Sequence, residues 1–143
     1  MAGSVVNRRA LEPVLRTNRP TKELGDQDLF SDDLRDLAGK VAGRTSSVCL
    51  ITSPFGGDPN RPVAQRGANL CTTGYALKDG KITVSGIVTD DDFKSGVLVL
   101  PIVGGTGKYR GATGQLEVKF VSPFTDPAML TFRLSTLTLP FPR

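Results

Sequence analysis

Histidine is absent from all 143 residues, tryptophan is absent too, and there are only two cysteines. The first absence excludes most. Without histidine there is no Ser-His-Asp or Cys-His relay to activate a nucleophile, and the commonest zinc ligand is gone. Two cysteines alone do not build a structural zinc site. Asp90-Asp91-Asp92 is a run of three carboxylates. It lacks the alternate spacing and the glycine of a calcium loop, so a solvated loop and no metal are expected. No apolar run approaches the roughly 18–20 residues that a membrane helix needs. The start, Met1-Ala2-Gly3-Ser4-Val5-Val6-Asn7, has no long apolar stretch of the signal-peptide kind. A cytoplasmic protein, or a mature chain with its leader removed, is expected, with no membrane partner.

Surplus charge is also missing from most of the chain. The net charge is +4. Arg8, Arg9, Arg16, Arg19 and Lys22 face only Glu12 within residues 1–22, and the remainder carries thirteen basic and thirteen acidic side chains. The surplus is therefore an N-terminal arm, and the body has no field to attract a polyanion. Few aromatics and no tryptophan leave no stacking platform for single strands. No nucleic-acid partner is expected. The arm over residues 1–22 is read as a lid or a first strand, and residues 23–143 as one domain with enough chain for a core.

What is present is β pattern. Apolar, β-branched runs over residues 41–53, 66–77, 81–89, 96–103, 113–122 and 128–139 alternate with turn signals. Lys78-Asp79-Gly80-Lys81 puts Asp-Gly at a hairpin, and Asp90–Ser95 separates two strands as a loop. Only residues 5–12 and 31–37 leave room for a helical turn. Regular short strands of this kind predict a sandwich or a closed barrel.

Alternation then sorts faces. Asn69, Cys71, Thr73 and Tyr75 share one face, and Leu116, Val118 and Phe120 share another. Leu130, Phe132 and Leu134 oppose Met129, Thr131, Arg133 and Ser135. Residues 96–103 are apolar on both faces, which fits a strand covered outside by a second subunit, so a homo-oligomer (dimer or trimer) is expected. Cys49 and Cys71 lie symmetrically about Asn60 on consecutive strands. A disulfide and two buried thiols both fit that placement. A nucleophilic thiolate fits less well, with no histidine to activate it.

Five glycines fall between Val103 and Gln115. The loop does not end in Lys followed by Ser/Thr, and strand pattern follows it, so a sharp corner is expected rather than a phosphate cradle. The run Val103-Gly-Gly-Thr-Gly-Lys-Tyr-Arg-Gly-Ala-Thr-Gly114 resembles the signature of the allene oxide cyclase and dirigent barrel superfamily. Leu24-Gly-Asp-Gln-Asp-Leu-Phe-Ser-Asp-Asp-Leu-Arg-Asp-Leu-Ala-Gly-Lys40, Val48-Cys-Leu-Ile51 and Asp79-Gly-Lys-Ile-Thr-Val-Ser-Gly86 resemble further blocks of it, in the same order. The resemblance covers about residues 23–135 and implies an all-β fold, a single antiparallel eight-stranded barrel.

The resemblance also implies a function class. Relatives cyclise reactive epoxides, fold polyenes for [4+2] cycloaddition or orient radicals, without a cofactor, inside an apolar cavity. The activity expected here is a cofactor-free cyclase of natural-product biosynthesis acting on a small hydrophobic polyketide-like substrate. The plant-type cyclase or dirigent reaction, a lipocalin-like carrier, and a barrel filled by its own side chains are the alternatives. Tyr75, Asn69 and Thr73 are candidate catalytic groups, with Tyr75 donating to a substrate carbonyl or else serving as a core tyrosine. Arg133 either binds an acidic substrate group or lies on the surface. Glu12 is the only carboxylate of the first segment, where allene oxide cyclases carry a glutamate. Leu29 precedes Phe30 where they carry proline. Phe120, Phe132, Thr131, Cys71, Val84 and Leu116 are candidate substrate-lining residues.

Overall fold

A computed structural model describes residues 2–7, 24–53, 60, 67–119 and 128–136. Nine strands account for most of them: β1 (Ala2–Asn7), β2 (Gln27–Phe30), β3 (Asp33–Arg35), β4 (Val41–Ser53), β5 (Ala68–Leu77), β6 (Gly80–Thr89), β7 (Val97–Gly105), β8 (Ala112–Lys119) and β9 (Ala128–Thr136). One short helix, α1 (Asp90–Ser95), links β6 to β7, and a 3-10 turn at Gly107–Tyr109 links β7 to β8.

Each of the ladders is antiparallel. β2 and β3 share one edge of β4, interrupted by Ser31 and Asp32, and together fill one strand position. The other edge of β4 pairs with β5, and neighbours then run β5-β6-β7-β8-β9-β1-β3. The sheet so comes round on itself as a barrel of eight strand positions. Its narrowest seam is β1–β3, two residue pairs long. The start of the expected arm is thus the strand β1, hydrogen-bonded to β9, and Glu12 lies outside the described residues.

Two local expectations are corrected. Residues 5–7 and 33–35 are strand rather than helical turn, because β9 and β4 offer them ladder partners. Asp90–Ser95 is a helix rather than a loop. Thr89 and Asp92 form a capping box there, and three carboxylates sit in the first turn, where a helix dipole favours them. Asp90 also accepts the Gly67 N–H at 3.0 Å.

The ladder between β6 and β7 covers only Ile82–Val84 against Ile102–Gly105. Pro101 follows on β7 and has no N–H to donate. Opposite it, a Cβ on Gly86 would lie 2.9 Å from Leu100 Cδ2 and 3.1 Å from Pro101 Cδ, so glycine permits the approach. At the other end of the barrel the expected glycine corner packs on the Asp79-Gly80 hairpin. Gly107 has φ +60, a Cβ there would collide with the Asp79 carbonyl oxygen, and the Lys108 N–H donates to that oxygen at 2.9 Å.

The core is the barrel interior. β5 through β9 contribute Tyr75, Ile82, Val84, Val88, Leu98, Leu100, Ile102, Ala112, Leu116, Val118, Leu130 and Phe132 to one apolar cluster with Leu34, Cys49 and Cys71.

Candidate functional site

The alternation of β4 and β5 decides which side chains face inward. Thr45, Ser47, Cys49 and Ile51 are buried on β4, and Asn69, Cys71, Thr73 and Tyr75 on β5. Register stacks them with β6 into four levels: Ile51-Asn69-Val88, Cys49-Cys71-Gly86, Ser47-Thr73-Val84 and Thr45-Tyr75-Ile82. A polar stripe therefore runs along one wall. The opposite wall, from β7, β8 and β9, is apolar: Leu98, Leu100, Leu116, Val118, Leu130 and Phe132 are all buried.

Tyr75 and Phe132 meet across the interior edge to face, with ring centroids 5.0 Å apart. The contact spans the interior, and the connections longest in sequence arise at the Asn69 end. Ser47 Oγ and Thr73 Oγ1 are hydrogen-bonded at 2.7 Å one level above. Burial pushes the Tyr75 hydroxyl well above the ordinary tyrosine value, and a hydrogen bond with the Thr73 side chain offsets part of that shift. The phenol thus stays protonated at neutral pH and is no base.

Cys49 and Cys71 are directly opposed and joined as a disulfide, with Cα atoms 4.1 Å apart. Of the two placements the sequence left open, the bonded one holds, and the sulfurs line the interior. Asn69 is 6% exposed, and its Oδ1 has no hydrogen-bond partner.

Val84, Leu116 and Phe132 are buried in the interior. Thr131 and Arg133 are a correction: they alternate with buried Leu130 and Phe132, Arg133 is exposed, and both belong to the outer face. Neighbouring residues of a strand point to opposite sides, so Phe132 inward sets Arg133 outward. Phe120 and Glu12 lie outside the described residues.

Asp32 is the residue that sequence reasoning missed. At 4% exposure it is the only buried charged side chain among the described residues. It sits beside Thr45: the Thr45 N–H donates to the Asp32 carbonyl at 2.8 Å, and the Asp32 N–H to Thr45 Oγ1 at 3.2 Å. Asp32 lies in the break between β2 and β3, where no strand alternation marks it as buried. Among the described residues no three His, Cys, Asp or Glu side chains gather in a way that holds a metal ion.

A family model described as an allene oxide cyclase barrel-like domain matches residues 10–126. No curated protein sequence matches the chain. Three solved structures illustrate the structural likeness. One described as pyocyanin demethylase is 25% identical, with TM-score 0.67, over 94% of this chain and 98% of its own. AbnU, described as an exo-specific intermolecular Diels-Alderase, is 21% identical, with TM-score 0.69, over 94% and 96%. A nonspecific heme-binding cyclase of [4+2] cycloaddition in neoabyssomicin biosynthesis is 19% identical, with TM-score 0.62, over 92% of this chain and 60% of its own.

Proposed function

This chain belongs to the allene oxide cyclase barrel-like family, and from that premise we propose that it is a cofactor-free cyclase acting on a linear polyene or polyketide-like molecule held in the barrel. The observation that carries the reading is the buried hydroxyl group of three, Ser47, Thr73 and Tyr75, facing an apolar wall. The wall folds the chain of the substrate, and the hydroxyls polarise a carbonyl conjugated to the reacting alkene. A [4+2] closure exchanges two π bonds for two σ bonds, with no atom gained or lost. It needs no base, no leaving group and no redox partner, which suits a chain without histidine.

Most of the acceleration in this reading comes from orientation. The diene and dienophile belong to one molecule, so what the barrel removes is the entropy of internal rotation that opposes the folded, reactive conformer, on the order of a few kcal/mol. A donor aimed at developing negative charge adds to it. Asp32, hydrogen-bonded through its backbone to Thr45, is the one buried carboxylate among the described residues. Heme binding is not carried over from the neighbour, since no histidine exists and both cysteines are bonded to each other, leaving neither common side chain to ligate iron.

The assembly proposed is a homo-oligomer. Val99 and Val103 on the outer face of β7 are 45% and 59% exposed, which agrees with a strand apolar on both sides. No helix among the described residues is long and apolar enough to cross a membrane. A cytoplasmic site of action is proposed only with the disulfide shielded by burial, since such bonds are rare in reducing compartments.

Product stereochemistry tests the reading. The purified chain and linear polyenes bearing an activated exocyclic alkene are expected to give one stereoisomer of unchanged mass. A product mixture identical to that formed in buffer, alongside saturable binding, assigns the barrel to ligand carriage instead.

A further inference from the structure

The top level of the interior holds an acceptor that the fold leaves unused. Asn69 sits on the inner face of β5 between Ile51 and Val88, which are 1% and 2% exposed and bring no donor. Its Oδ1 is buried and without a partner. An unpaired buried amide oxygen is destabilising, and an apolar side chain of similar size avoids the penalty. A binding group facing a ligand explains its presence where packing does not.

We propose that Asn69 is the specificity residue of the barrel, accepting a hydrogen bond from a hydroxyl or N–H at one end of the ligand. The assignment rests on the interior-ligand reading above and adds a substrate class to it. Asn69 and Thr73 share the inner face four residues apart, a span of roughly 13 Å at about 3.3 Å per residue. A ligand that reaches both is therefore linear, with a donor at one end and a carbonyl at the other. Its apolar middle lies past the Cys49–Cys71 disulfide and against Leu98, Leu100 and Leu130. Tyr75 and Phe132 limit its depth.

Matched probes test this. A conjugated tetraene fatty alcohol and its methyl ether differ only in the donor, and tetraene fluorescence rises on entry into an apolar site. In the unaltered chain the alcohol is expected to bind roughly tenfold more tightly than the ether, the ratio that one otherwise unmade hydrogen bond gives. Asn69→Leu is expected to bring the two within about twofold by weakening the alcohol alone, with an unchanged or higher melting temperature. Asn69→Val, which copies the neighbouring Val88, takes its place if the leucine variant does not fold. Equal binding of both probes to the unaltered chain overturns the role of Asn69 and leaves the interior-ligand reading standing. So does an alcohol preference that survives both variants. Saturable binding of neither probe overturns the interior-ligand reading and this assignment together.

Discussion

Burial keeps the Tyr75 hydroxyl protonated far above neutral pH, and that one property shapes its chemistry and its effect on stability. Removing it in Tyr75→Phe leaves the ring edge to face with Phe132 and takes away only the donor. Cyclisation is expected to slow by about ten- to a hundredfold, a loss of about 1.4–2.8 kcal/mol of barrier stabilisation. Stability should change by only about 1 kcal/mol. The raised pKa also sets a pH window. The unfolded chain releases this proton near pH 10, the folded chain only above that, so stability is full below about pH 10 and falls as pH rises further. Melting curves from pH 7 to 11 in both forms check this, with a shallower alkaline decline expected for Tyr75→Phe. At this scale the inner set Asn69, Cys71, Thr73 and Tyr75 was legible, since alternation over a ten-residue strand fixes a face. Arg133 and Phe132 had both been candidates for the interior, although adjacency allows only one of them. Asp32 was hidden because two residues between short strands carry too little periodicity to show a face, and the segment read equally well as a helical turn.

Elements hold these residues through a few specific devices. The disulfide joins β4 to β5 across a sequence separation of 22 residues. Replacing both cysteines by alanine is expected to cost about 3 kcal/mol, read as a lower denaturation midpoint. The glycine corner is a second device. Gly107→Ala forces a side chain at positive φ against the Asp79 carbonyl. A loss of about 1–3 kcal/mol is expected, measurable by thermal melting and localised by faster amide exchange at Lys108, whose N–H donates to the same oxygen. The corner and the Asp-Gly hairpin were both visible in the sequence because glycine marks such positions by necessity. The helix Asp90–Ser95 was not, since six residues give less than two turns of pattern and three carboxylates read as a solvated loop. Only Thr89, three residues before Asp92, carried the capping signal. The sequence also gave no sign that β2 and β3 divide one edge of β4.

At the scale of the whole molecule, barrel closure turns strand alternation into an inside and an outside. Polar residues then line part of the interior while apolar residues remain outside, at Val99 and Val103 and also at Leu70 and Ile87, which pair across β5 and β6. We read these exposed apolar side chains as the face of the proposed oligomer. Light scattering is expected to give a mass above that of one chain, with Val103→Asp shifting it toward the monomer. The fold was legible because several family blocks occur in order along the chain. The substrate was not, because a fold fixes the shape of a container and the side chains within it fix the chemistry. The central claim is that this interior accelerates ring closure without a cofactor. The most direct measurement is the rate at which a linear polyene with an activated exocyclic alkene converts to its cyclic isomer, with and without the purified, metal-free chain. The account expects saturable acceleration of at least about a hundredfold, equivalent to about 2.7 kcal/mol, and a single product of unchanged mass. Saturable binding at the uncatalysed rate would contradict it.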